Sequence, residues 1–191
     1  MEYIIEGKAW VIRDRKDDPI NNIDTEQIFP RSRGTDIHRD NWVSYIFHNL
    51  SGWNNFYKRV KPGDIIICGK NFGTGAPHPM AVDCFRILGI SLMIAESFAP
   101  EYRRLAVNKG FPVLICPDIT SGRTGDILMV QEGDILNVDM KTGEILNSTR
   151  NLRISHCLPA SPVQLEILEA GSLHNLGRSR SEEDSEPADR I

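Results

Sequence analysis

Hydrophobic positions in this chain fall into short runs separated by glycine- and proline-rich turns, and their period changes along its length. Ile65-Ile66-Ile67-Cys68 is unbroken and apolar, the mark of a strand covered on both faces. Pro79–Leu88 has helical spacing ended by Gly89, and Ile90–Ala95 is a second apolar strand. Ser97 offers an N-cap, Pro100 and Glu101 suit a first turn, Tyr102–Lys109 continues that helix, Gly110 caps it, and Val113–Cys116 is another strand. With an earlier strand at Ala9–Ile12, this alternation predicts a covered parallel sheet. From Gly133 the period drops to two. Ile135–Asp139 alternates, Lys141-Thr142-Gly143 turns, and Glu144-Ile145-Leu146 returns as a hairpin, so this half adds antiparallel strands. Ser161 and Pro162 open a last helix that Gly171 ends. The fold class is therefore α/β with mixed parallel and antiparallel strands.

Asn41–Lys58 is rich in aromatic residues at helical spacing, broken at Ser51-Gly52. Little basic charge is interleaved with these rings, so they read as core or partner surface rather than a base-stacking platform. A length of 191 residues suits one domain, over residues 1–176, and Gly177–Ile191 is a charged tail predicted to be disordered. A net charge of −4 with no basic stripe argues against a nucleic-acid partner. With no signal-peptide core and no run of 18 apolar residues, the chain reads as a cytoplasmic protein without a membrane partner. Cys68, Cys84, Cys116 and Cys157 show no Cys-x-x-Cys spacing and no nearby His. They are expected to be reduced, buried thiols that bind no metal or cluster.

Two segments carry candidate chemistry. In Gly69–Pro79, Gly73 and Gly75 permit positive φ or close approach of the backbone to a ligand, and a helix follows; such a turn suits a carboxylate or phosphate, though it is also an ordinary strand-to-helix connection. Arg31-Ser32-Arg33-Gly34-Thr35-Asp36 has the composition of a mobile surface loop in which Arg31 and Arg33 could meet an anion, or of a solvated basic turn.

Six landmarks in register resemble the small subunit of 3-isopropylmalate dehydratase, the swivelling domain of the aconitase superfamily. Asn22-Ile23-Asp24-Thr25-Glu26-Gln27-Ile28-Phe29-Pro30 is similar to the family's N-x-D-T-D-x-I-x-P, and Gly63–Gly75 to its G-D-x-x-x-x-G-x-N-F-G-C-G. Ile94–Ala99, Asn108–Leu114, Gly133–Gly143, and Leu158-Pro159 with Ile167–Gly171 complete the match. The resemblance implies a three-layer β/β/α swivelling domain that pairs with a large subunit carrying a 4Fe–4S cluster. It also implies hydro-lyase or isomerase activity on a hydroxy di- or tricarboxylic acid. Substrate contacts are implied for Thr25, Asn71, Thr74 and Gly75, with Arg31–Asp40 as the loop that discriminates between substrates.

One departure falls on the chemistry. Where the family has G-S-S-R-E-H-A, this chain reads Gly75-Ala76-Pro77-His78-Pro79-Met80-Ala81. In the family the first serine abstracts the proton and the arginine clamps a carboxylate. Ala76 cannot do the first, and a neutral imidazole offers one donor where guanidinium offers a charged fork. His78 is accordingly the candidate catalytic base or acid, since its pKa lies near neutral pH. The alternatives are a capping histidine without a catalytic part, within a non-catalytic swivelling subunit that binds a carboxylate or a protein partner, and, last, a nucleic-acid-binding derivative.

Overall fold

A computed structural model describes residues 3–36 and 38–185. Strand β1 (Ile4–Val11) and helices α1 (Thr25–Ile28) and α2 (Arg31–Asp36) lead, through 3-10 turns at Arg39–Tyr45 and Phe56–Lys58, to β2 (Ile65–Cys68), α3 (Met80–Leu88), β3 (Leu92–Ala95), α4 (Pro100–Asn108) and β4 (Val113–Ile115). A small hairpin of β5 (Arg123–Thr124) and β6 (Ile127–Leu128) precedes β7 (Ile135–Asp139), β8 (Glu144–Asn147) and β9 (Leu152–Ile154). Helices α5 (Pro162–Ala170) and α6 (Leu173–Ser185) follow.

Seven strands form one sheet in the order β4-β3-β2-β1-β7-β8-β9. β1 joins its two halves: Ile4–Lys8 pair antiparallel with β7, and Ala9–Val11 pair parallel with β2. The sheet curls there. Ile65, Ile67, Leu92 and Ile94, on one face of the parallel half, share a core with Leu136, Val138 and Ile145 of the antiparallel half. Ile66, Cys68, Met93 and Ala95, on the other face, pack against Val82 and Phe85 of α3 and Tyr102 and Ala106 of α4. The result is the β/β/α layering, produced because successive strand residues point to opposite faces and both faces here are apolar.

Several expectations need correction. Asn41–Lys58 forms 3-10 turns, not regular helical pieces, because Phe47 takes a left-handed φ of 57° that interrupts any helix. Its rings do enter the core, with Phe47 5.5 Å from both Phe56 and Phe85. Arg31–Asp36 is helical rather than a loop: the Glu26 carboxylate accepts from the Arg31 N–H, and Gly34 lies against Met80 of α3. Ser97 does not cap α4. Ala99 holds the cap position, and the Ser97 hydroxyl accepts from the Asn71 N–H instead. The tail expected to be disordered from Gly177 is helical through Ser185, with Arg180 paired to Glu166 of α5, and residues 186–191 lie outside the described residues.

The cysteines divide. Cys68 and Cys84 are free and buried, as expected, and burial pushes both thiols well above their ordinary pKa. Cys116 and Cys157 instead form a disulfide. Leu158 pairs with Ile115 across an isolated antiparallel bridge, which brings the neighbouring positions 116 and 157 side by side. Linking residues 41 apart removes loop-closure entropy worth about 4 kcal/mol from the unfolded chain.

Candidate functional site

The glycine-rich turn leaves the C-terminal end of β2 and docks on the segment before α1. Asp24 pairs with Thr74 in a parallel bridge, and the N–H groups of Gly73 and Thr74 both donate to the Ile23 carbonyl. Gly75, at φ 81°, is required by this approach: a Cβ there would lie 2.2 Å from Asp24 Oδ2. Thr25, itself buried, donates from Oγ1 to the Ala76 carbonyl at 3.0 Å, and the Arg31 guanidinium reaches the same oxygen at 3.3 Å. Asp24 caps α1 by accepting from the Glu26 N–H, and the Gln27 side chain accepts from the Asp24 N–H. This reciprocal capping fixes how α1 presents Glu26.

His78 ends the turn, one residue before the cap of α3, and is only 4 % exposed. Neither ring nitrogen has a hydrogen-bond partner, which is unusual for a buried polar group. Nε2 lies 3.8 Å from Glu26 Oε1, within ion-pair range but too far for a hydrogen bond. Glu26 is also held by Arg31, whose N–H donates to Oε2 at 3.0 Å and whose Nε stands 3.9 Å from Oε1. Burial is the main influence on the ring and lowers its pKa below the ordinary value; Glu26 pulls the other way, and Arg31 reinforces burial. A neutral imidazole at neutral pH follows, ready to accept a proton.

The helix start is a poorer anion cradle than the glycine pattern implied. Pro77 and Pro79 have no N–H to offer, and the Ala81, Val82 and Asp83 N–H groups bond to carbonyls of His78 and Pro79. Arg31 is brought to the site. Arg33 is not, since its guanidinium stacks 5.4 Å over the Tyr45 ring. Asn71 and Thr74 stay at the rim, bonded to Asn22 through its side-chain oxygen and its carbonyl respectively. Reading the sequence by motif overlooked Glu26; its place after a capping aspartate was the available signal. A surface cleft of about 480 Å³ lies elsewhere, between Arg13, Trp53 and Glu132. Gly75, Ala76, Pro77 and Pro79 around His78 are exposed, while the His78 ring itself is covered.

Among the described residues no three His, Cys, Asp or Glu side chains gather to hold a metal ion. Nor is any described helix long and apolar enough to cross a membrane.

The aconitase C-terminal domain family matches residues 52–116, a stretch that holds β2, the glycine turn and His78. The isopropylmalate/citramalate isomerase small subunit of Methanocaldococcus jannaschii is 37% identical over 174 residues, covering 91% of this chain and 93% of that protein. The chain belongs to the 3-isopropylmalate dehydratase small-subunit family. The crystal structure of 3-isopropylmalate dehydratase from M. jannaschii superposes on this small subunit with a TM-score of 0.79 at 30% identity, covering 95% of this chain and 98% of that one. The methanogen homoaconitase small subunit of Methanothermobacter thermautotrophicus is 31% identical over 175 residues, covering 92% of this chain and 91% of that protein. This protein is thus the small subunit of an aconitase-type hydro-lyase, and a large subunit is its partner.

Proposed function

We propose that this small subunit completes an enzyme that dehydrates or isomerises a hydroxy di- or tricarboxylic acid, with His78 as the base or acid at the carbon that loses or regains the proton. The observation that carries this reading is a histidine 4 % exposed with both nitrogens unpartnered, placed where the glycine turn meets α1. A buried polar group without a partner is costly, and a substrate in the site would relieve that cost. The names of the relatives, isopropylmalate, citramalate and homoaconitate enzymes, support the substrate class. In this reading the 4Fe–4S cluster is held by the large subunit, and the exposed turn that covers His78 faces it. Thr25, Asn71, Thr74 and Gly75 shape the turn that borders the substrate, and Arg31 supplies the fixed cation for a carboxylate. We place the complex in the cytoplasm, where burial shields the Cys116–Cys157 pair from reductants.

Anaerobic co-expression with an iron–sulfur large subunit, followed by a screen of hydroxy acids for absorbance of the unsaturated product, tests the proposal. Turnover of at least one such acid is expected. A loaded complex that turns over none would favour a non-catalytic, carboxylate-binding subunit. The two arginines should separate in the same assay: Arg31→Ala is expected to raise KM about tenfold or more through loss of a charge-assisted contact, and Arg33→Ala to leave KM within about twofold. An equal effect of both would show that Arg33 leaves Tyr45 to reach substrate.

A further inference from the structure

We infer that Glu26 is a positioning residue for His78: its carboxylate, 3.8 Å from Nε2, selects the ring tautomer and steadies the imidazolium that forms when the ring takes up a proton. This rests on the proposal that His78 is the acid or base of the site. The geometry favours a role beyond a surface ion pair. Glu26 is half exposed, whereas the ring it faces is almost fully buried, and neither ring nitrogen is engaged by another side chain. The carboxylate is also held from both sides, by the capped start of α1 and by the Arg31 N–H, so it is presented in a defined place.

The charged groups around the ring are Glu26 and Asp24 from the α1 region and Arg31 from α2, and the Thr25 backbone also favours its protonation. With the Nε2 proton turned toward Glu26, Nδ1 keeps its lone pair and accepts the proton once the exposed turn over it makes way for substrate. The C–H bond of the substrate breaks, its electron pair stays on carbon, and a new N–H bond forms at Nδ1. The ring then carries a positive charge opposite the Glu26 carboxylate, and the gap can close to a charge-assisted hydrogen bond. Arg31 shares Glu26 Oε1 with the ring, so a substrate carboxylate that draws Arg31 away leaves Glu26 freer to stabilise the imidazolium.

The test is an ¹⁵N NMR titration of the His78 ring in the full chain, wild type against Glu26→Gln and Glu26→Asp. Glu26→Gln is expected to lower the ring pKa by about one unit and to mix the two neutral tautomers, because the charge favouring protonation is gone. Glu26→Asp is expected to restore part of both, since it keeps the charge. In the assembled enzyme, Glu26→Gln should shift the rising limb of the rate profile to lower pH by the same amount and reduce the plateau kcat about tenfold. A ring that titrates identically, with the same tautomer, in wild type and Glu26→Gln overturns the inference. A ring that responds to Glu26→Gln in an enzyme whose rate has no His78-dependent limb supports the pairing and defeats the acid–base proposal instead.

Discussion

Replacing His78 with asparagine is expected to reduce kcat of the assembled enzyme by about 10²–10⁴-fold, the usual worth of a positioned general base. The wild-type rate should rise with pH through a midpoint below the ordinary histidine value of about 6.5 and level off by neutrality, because burial disfavours the charged ring. In His78→Asn that limb should vanish. Stability carries the same sign: a ring whose folded pKa is depressed favours the fold fully above about pH 6.5, and this contribution is lost as pH falls toward the folded pKa. The variant should therefore also flatten the acid side of the melting curve. Since the ring nitrogens bond to nothing in the fold, assembly should survive the change. Rates and pH profile equal to wild type would assign His78 to structure alone. Restoring the family pattern with Ala76→Ser, Pro77→Ser and His78→Arg offers the converse, a gain of isopropylmalate turnover.

Gly73→Ala is expected to be the most damaging single change to the fold, lowering stability by about 3–5 kcal/mol and the melting temperature by about 10 °C or more. Gly73 has φ 84°, and a Cβ there would lie 2.2 Å from Cγ of Tyr102. That ring cannot yield. Tyr102 is fully buried, donates from its hydroxyl to the Ala81 carbonyl at 3.0 Å, and sits 5.3 Å from Phe72 and 6.3 Å from Phe98. Gly125→Ala is the matched control, because Gly125 also has positive φ, 63°, but nothing within 4 Å of its Cβ position. Its cost should be backbone strain alone, about 1 kcal/mol. Chemical denaturation of the two variants measures the difference, and equal losses would show that the Tyr102 contact is soft.

Much of the architecture was legible in the chain because its determinants are local. The Ile65–Cys68 run became β2 over those same residues, since a strand covered on both faces must be apolar throughout. Ser161 caps α5 and Gly171 ends it in the left-handed conformation, since caps and turns depend on a few adjacent residues. The shortest elements escaped notice. β9 has three residues and β5 and β6 two each, too few for a period to register, and they exist because neighbouring backbone is there to pair with.

By itself the sequence determined the order of the longer strands and helices from β2 to β8, the turn at Gly73 and Gly75, and the presence of His78 at the head of α3. Only the tertiary structure decided what surrounds that histidine. Glu26 lies 52 positions before it, yet packing α1 against the glycine turn brings the two side chains within 3.8 Å. The same holds for Cys116 with Cys157, and for Arg33, which its composition offered to an anion and Tyr45 claimed. Spacing along a chain encodes the period of a local element, whereas contacts between elements depend on how their faces dock, and no local pattern records that.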